Sequence, residues 1–382
     1  MADHHIDHIQ PVKPIFAGVS DRAGDAASPF VSVCITTRAR PFLLEACLTS
    51  LKDQVGPTFE LLVCCQGDIQ GAEVVQRHFP EATIGHVPEA TPGEARNFLI
   101  QRSQGEWLLF LDDDVTLPGN LLQRIFEIAS QHRDVMVIGG PNLTPPSSPF
   151  FEIVQGAVLG SILATGPVRR RYGEHPGAFA DERYFTLCNL AVRREAMIPF
   201  PASLAGGEEN AVLSELARQH QLMWYDPEMK VFHKRRTTFR SFASQMYKYG
   251  RGRGRLVATA PRRCRPAHFL PLLLLAWIAT LPLIAVLATP WWTLTALVYV
   301  LLVGTSGIVI AASTHNVRFR HRLSALLIGS ALCVTVHLGY ASGIAVGIVR
   351  AYPRTSSIWS DVPALMPNRD LETAGIESDH ET

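Results

Sequence analysis

Charge is scarce in this 382-residue chain: only 18% of residues are Asp, Glu, Lys or Arg, and the formal net charge is +1. That balance argues against a globally basic nucleic-acid binder, so any basic work falls to local clusters. The seven cysteines are odd in number and scattered, with no C-x-x-C or zinc-type spacing. A disulfide framework or a thiolate metal site is therefore not expected. Cys34, Cys64 and Cys65 fall in strand-like apolar runs and are expected to be buried, reduced thiols. The first ten residues lack the apolar core of a signal peptide and contain His4, His5 and His8. They read as the start of a polar, disordered leader running to residue 28.

Charge is missing altogether from Phe269 to Thr314, about twice the ~20 residues that cross a bilayer. Pro290, beside Trp291 and Trp292, divides the stretch into two spans, with the tryptophans at a headgroup layer. Leu323–Val349 is a third uncharged segment. Its glycines (Gly329, Gly339, Gly343, Gly347) fit either a span with small-residue packing or a partly interfacial helix. Basic residues crowd the cytoplasmic candidates: Lys248 to Arg265 before the first span, and Arg318, Arg320 and Arg322 after the second. The positive-inside rule then puts both ends of the hairpin, and the domain before it, on the cytoplasmic face of the inner membrane.

Upstream, short apolar runs alternate with helical patterns. Val31–Thr36, Phe59–Cys65, Ala82–His86 and Trp107–Leu111 read as strands; Leu43–Lys52, Ala72–His78 and Gly93–Ser103 read as helices. Strands joined by crossover helices predict an α/β domain with a mostly parallel sheet, which binds ligands at the carboxyl ends of its strands. Between Gly139 and Phe200 the pattern loosens into Pro-rich turns, a weakly apolar stretch Phe150–Gly166 and the basic Arg169–Arg171. Ala211–His220 and Thr237–Tyr249 read as amphipathic helices, the second leading into the basic run Lys248–Arg255.

Asp112, Asp113 and Asp114 stand where the chain leaves the Trp107–Leu111 strand. Three adjacent carboxylates repel one another unless a cation is shared, and hard oxygen ligands suit Mg²⁺ or Mn²⁺ bridging to a diphosphate. An exposed acidic turn is the plainer alternative. The run Asp112 to Thr116 also fits the D-x-D-x-T signature of haloacid-dehalogenase-type phosphatases, which place it on the opening strand rather than after about three strand–helix units.

The segment from about Val31 to Gly254 resembles a family 2 inverting glycosyltransferase of the GT-A fold, the exopolysaccharide type with C-terminal transmembrane helices. Val31 to Arg40 is similar to the family's first strand and loop, with Ala39 where asparagine is usual. The resemblance makes Thr36 and Arg40 contacts to the nucleotide, and Asp68 a ligand of base or ribose. Gly93 to Asn97 matches a G-x-x-x-R-N run, with Arg96 on base or phosphate. Asp112 and Asp114 match the D-x-D pair, so they are the implied metal ligands, with Asp112 and Asp113 on the donor side. Gly207, Glu208 and Glu209 resemble a G-E-D segment whose last residue is the catalytic base. Glu209 therefore takes that place, with Glu208 as the competing choice. Asn189 and Arg193 resemble an N-x-A-x-R-R segment beside the acceptor. Gln245, Tyr249 and Arg251 stand where processive relatives carry Q-x-x-R-W, and the departure implies addition of one or a few sugars.

The resemblance implies transfer from a nucleotide-sugar donor to a polyprenyl-linked or glycolipid acceptor at the membrane, with no nucleic acid involved. A sugar nucleotidyltransferase, a phosphatase and an inactive membrane scaffold are the rival readings. The expected division is a leader over 1–28, a catalytic domain over 29–255, and a basic linker over 256–268. A membrane domain of two or three helices over 269–350 and a flexible tail over 351–382 complete it.

Overall fold

The computed structural model describes residues 28–67, 69–202, 207–259, 269–287, 290–313 and 321–351. The leader, Asp68, most of the 256–268 linker and the tail lie outside the described residues. The chain opens with β1 (Val31–Thr37), α1 (Pro41–Lys52), β2 (Phe59–Cys65), α2 (Ile69–His78), β3 (Thr83–His86), α3 (Pro92–Arg102) and β4 (Trp107–Asp112). Each element predicted from periodicity in this region is present, within a few residues at its ends. There follow β5 (Val115–Thr116), α4 (Leu121–Gln131), β6 (Val135–Gly139) and β7 (Asn142–Leu143), then α5 (Phe150–Leu159) and α6 (Ile162–Thr165). Next come β8 (Ala178–Phe179), β9 (Asn189–Arg193), α7 (Glu208–Arg218), β10 (Leu222–Tyr225) and β11 (Val231–His233). Four long helices close the chain: α8 (Phe239–Thr259), α9 (Leu270–Leu287), α10 (Pro290–Ser313) and α11 (Arg322–Ala351).

The main sheet runs β3-β2-β1-β4-β9-β6-β10-β8. β1, β2, β3 and β4 are parallel; β9 enters antiparallel between β4 and β6. Both faces are covered, which is why the strands read as continuous apolar runs rather than alternating ones. Val33 and Ile35 pack with Leu44 and Leu48 of α1, while Cys34 on the opposite face packs with Leu99 of α3 and Val212 of α7. A smaller sheet, β5-β11-β7, sits at the carboxyl end of β4. The register His233↔Val115 in that sheet places His233 beside Asp114.

The loosely patterned region resolves into a structural device. α5 and the α6 turn, which continues to Tyr172, form two apolar helical arms bent by 62°. Their side chains Val154, Val158 and Ala164 join Phe242 and Met246 of α8, Ile310 of α10 and Leu332 and Val336 of α11 in a third apolar cluster. Proline-rich turns on either side had broken the sequence period, so tertiary contact rather than local pattern defines these arms.

Among the described residues, two helical stretches are long and apolar enough to cross a membrane: Leu294–Ala312, with mean hydropathy 2.2, and Arg322–Ala351, with 1.8. The bent α5–α6 pair makes a third if counted as one span. The break before α10 falls at Pro290 as expected. α10 leaves Leu294, Leu297, Leu301 and Ile308 exposed, an apolar surface that suits lipid rather than water.

α11 is a continuous helix of 30 residues; its Gly339, Gly343 and Gly347 pack against α8, while Gly329 meets Ile310 of α10. A Cβ on Gly343 would stand 2.8 Å from the Arg251 amide nitrogen, and one on Gly250 2.8 Å from the Tyr340 carbonyl carbon. Gly254 meets Ile344 and Gly347 meets Arg251 and Gly254 in the same way. The G-R-G-R run thus spends its glycines on a helix crossing where only backbone fits. α8 extends through that run to Thr259 instead of ending near Tyr249.

Candidate functional site

Asp112 ends β4, and Thr36 pairs with it across the ladder at the end of β1. The chain then turns sharply, presenting Asp113 and Asp114 to different partners. Asp113 is fully buried: Thr37 Oγ1 donates to its Oδ2 at 2.7 Å, and an Arg40 nitrogen lies 2.6 Å from Oδ1. Burial pushes its pKa up to about 6, with Arg40 and Thr37 pulling the other way. Asp113 therefore braces the turn through Thr37 and Arg40. Arg40 likewise faces inward, donating to Asp114 Oδ2 at 2.8 Å, so it positions the acidic turn. Ala39 before it has φ of 51°, a left-handed conformation that asparagine or glycine adopts more readily.

Asp112, Asp114 and His233 each offer a ligand atom, all within 4.8 Å of one another. His233 Nε2 stands 3.0 Å from Asp114 Oδ1. That oxygen has no aligned hydrogen bond, a relation that two ligands of one ion adopt. Burial, then the Asp114 charge, raises the Asp112 pKa; at Asp114 burial is outweighed by the His233 ring and Arg40, which hold the carboxyl well below the usual range. Two carboxylates and one imidazole fit a divalent cation, and the nitrogen donor favours Mn²⁺ over Mg²⁺. His233 is a candidate ligand that no spacing in the sequence singles out. Its signal was a histidine ending a short apolar run, visible only once the β5–β11 register is known.

The opposite wall carries the glutamates. Gly207, with φ of 87°, turns the chain into α7, so Glu208 and Glu209 occupy its first turn. Arg96 reaches from α3, which is fixed by a Thr91–Glu94 capping box and by paired hydrogen bonds between the Asn97 amide and the Phe200 backbone. Arg96 donates to Glu208 Oε1 at 2.6 Å and lies 3.9 Å from Asp112 Oδ1. Glu208 Oε2 is left buried without a hydrogen-bond partner among the described residues. Glu209 accepts from the Asn210 amide at 2.9 Å and from its own backbone N–H. Burial, then the Glu208 charge, raises the Glu209 pKa, while Arg171 and Arg96 oppose the rise.

Asp112, Arg96, Glu208, Glu209 and His233 all line one cavity of about 810 Å³. Gln245, Tyr249 and Arg251 line it too, with Gln245 donating to the Tyr249 hydroxyl at 3.0 Å. Arg193 stands elsewhere. It pairs with Trp107 at the far end of β4, stacks its guanidinium 5.2 Å from that ring, and donates to the Arg133 carbonyl. Asn189 is at the near end but fully buried, its amide spent on the Met229 carbonyl. Thr186, Leu187 and Cys188, just before it, face the cavity instead. Asp68 lies outside the described residues.

Residues 32–197 match the family model described as Glycosyl transferase family 2. The succinoglycan biosynthesis protein ExoM of Rhizobium meliloti is 27% identical over 195 residues, 48% of this chain and 58% of that protein. An uncharacterized glycosyltransferase of Haemophilus influenzae is 27% identical over 112 residues, 29% of this chain and 38% of that protein. The chain thus spans about two-fifths to three-fifths of these curated relatives' lengths. Among solved structures, the mannosyltransferase PcManGT of Pyrobaculum calidifontis, in complex with GDP-Man and Mn²⁺, superposes with a TM-score of 0.51 at 18% identity. That match covers 85% of this chain and 88% of the other. The fold is that of the GT-A nucleotide-diphospho-sugar transferases.

Proposed function

We propose that this chain, which carries a glycosyltransferase family 2 domain, transfers a sugar with inversion from a nucleotide-sugar donor to a lipid-linked or saccharide acceptor at the cytoplasmic membrane face. One observation carries the proposal: the Asp112–Asp114–His233 set and Glu209 open into a single cavity that continues to Leu274 of α9 and Tyr340 of α11. Donor chemistry, a base and an apolar exit share one space.

Glu209 removes the proton from the acceptor hydroxyl, whose oxygen then forms a bond to the anomeric carbon as the bond to the diphosphate breaks. The nucleoside diphosphate leaves on the opposite side. A Mg²⁺ or Mn²⁺ ion held by Asp112, Asp114 and His233 would offset charge on that leaving group. Arg96 adds a fixed guanidinium at the same end while holding Glu208 away from the chemistry. Thr36, at the lip of β1, is the remaining donor contact. Gln245, Tyr249 and Arg251 form the acceptor side.

The basic residues flanking the apolar helices support a cytoplasmic catalytic domain. The likeness to a relative named for succinoglycan biosynthesis supports a role in polysaccharide assembly. The test is product analysis with the purified full chain in detergent, Mn²⁺ or Mg²⁺, and a donor panel, with and without polyprenyl acceptors. Release of nucleoside diphosphate is expected. Pyrophosphate or inorganic phosphate would point to nucleotidyl transfer or a phosphatase, and no turnover of any donor to a scaffold.

A further inference from the structure

The cavity has a middle section that the reaction chemistry does not use. Between Glu209 and the apolar end, Arg171 from the turn after α6 and Arg253 from α8 converge on one neutral atom. Both donate to Asn210 Oδ1, at 3.5 and 2.9 Å. Two guanidinium groups drawn to one amide oxygen repel each other, and the amide supplies no charge to offset them. Among the described residues neither forms an ion pair within 4.0 Å with a carboxylate. Lys248 and Arg251 line the same cavity, also without a carboxylate partner among the described residues. Glu209 next door is a single negative charge, and Arg171 already acts on it. Positive charge is therefore in excess on this wall, with Arg253 held by Asn210 and Arg171 by Asn210 and by the Arg183 carbonyl, to which its Nε donates at 2.6 Å. Beyond the arginines the lining turns apolar, through Leu270 and Leu274 of α9 and Val336 of α11.

We infer that Arg171 and Arg253, aligned by Asn210, form a headgroup subsite for an acceptor that carries a phosphate or diphosphate ester on an apolar chain, with the chain lying along Leu270, Leu274 and Val336. A guanidinium fork matches phosphate oxygens bidentately, which a neutral sugar does not require. The apolar end removes the chain from water while the head stays next to Glu209. The subsite rests on the proposed sugar transfer and names the acceptor's chemistry. It also gives the two arginines a task separate from holding the nucleotide.

The test measures binding of farnesyl diphosphate, farnesol and inorganic pyrophosphate to the full chain in detergent with EDTA, for wild type and for Arg171→Gln/Arg253→Gln. Wild type is expected to bind farnesyl diphosphate about tenfold or more tightly than either comparison probe, the worth of a charge-assisted hydrogen bond. The double variant is expected to lose that advantage while keeping nucleoside diphosphate binding measured separately with Mn²⁺ in place of EDTA. Farnesol binding as well as farnesyl diphosphate, or equal affinity in wild type and variant, overturns the subsite. Pyrophosphate binding as tightly as farnesyl diphosphate assigns the cluster to a free anion and overturns the lipid ligand. Wild type without cation-dependent nucleotide binding overturns the sugar-transfer proposal instead. A second measurement needs no substitution: farnesyl diphosphate, but not farnesol, is expected to protect Arg171 and Arg253 from phenylglyoxal, read by peptide mass. Equal modification with both probes overturns the subsite even if the double variant fails to fold.

Discussion

Arg96 and Glu208, 112 residues apart in sequence, meet at 2.6 Å across the mouth of the cavity. The pair decides between two adjacent glutamates. Glu208 is held by a guanidinium, and taking a proton would break that contact; Glu209 accepts from neutral N–H groups and has no guanidinium within ion-pair distance among the described residues. Substituting Glu209→Gln is therefore expected to lower kcat by about 10²–10⁴-fold, the usual worth of a general base. Donor affinity should stay near that of wild type. Glu208→Gln should instead weaken donor binding and lower the melting temperature, because Arg96 loses its anchor. Full activity in Glu209→Gln alongside loss in Glu208→Gln would exchange the two roles.

The raised Glu209 pKa fixes the direction of a pH dependence. The base works deprotonated, so kcat at saturating donor and metal should rise with pH and plateau only above the ordinary carboxylate range. Arg171 stabilises the charged form, so Arg171→Gln should move the rising limb to still higher pH. A limb that stays put in Arg171→Gln would place the titration on another group.

His233 is expected to be a ligand, not a bystander. His233→Ala should weaken cation-dependent nucleotide binding by at least the about 10–100-fold that loss of a ligand's hydrogen-bond partner alone costs. Calorimetry with GDP and UDP across a Mn²⁺ titration reads this directly. Unchanged Mn²⁺ dependence would remove His233 from the set.

Ala39 holds a left-handed backbone at φ 51° next to Arg40. That conformation costs an L-residue about 1–2 kcal/mol, and glycine or asparagine relieves part of it. Ala39→Gly and Ala39→Asn are expected to raise the melting temperature with Arg40 still on Asp113 and Asp114. A lower melting temperature in both would mean the site is not strained.

Glycines in the last helices separate into two kinds. A Cβ on Gly343 would stand 2.8 Å from the Arg251 amide nitrogen, whereas one on Gly304 meets nothing within 4 Å. Gly343→Ala is expected to destabilise by about 1–3 kcal/mol through overpacking, and Gly304→Ala to gain up to about 1 kcal/mol from helix propensity. Thermal aggregation in detergent compares them; equal effects would mean α8 and α11 are not in register.

The sheet was legible in the sequence because buried parallel strands and their crossover helices announce themselves as short apolar runs and periodic ones. Asp112 and Asp114 stood out as a possible metal pair because adjacent carboxylates at a strand end have few structural reasons to be there, and Glu209 was a candidate whose place the structure gives as the lining of the same cavity. The contacts of His233, Arg40 and Asp113 were not legible, since their partners come from register and side-chain direction: Arg40 reaches Asp113 and Asp114 because the β1 and β4 ends lie together. Arg193 was misplaced for the converse reason. Antiparallel entry of β9 carries it from Asn189 at one end of β4 to Trp107 at the other. The bent α5–α6 arms were hidden because their apolar faces match helices far later in the chain, α8, α10 and α11.

Gly250 and Gly254 set α8 directly on the backbone of α11, and Gly252 of the same helix is the neighbour of Gly207, where α7 begins. Long side chains elsewhere could bend to absorb a displacement, but main chain pressed on main chain has no such play. The first turn of α7, α8 and α11 therefore meet largely through main chain, with no long side chain interposed between Gly207 and Gly252 or between Gly254 and Ile344.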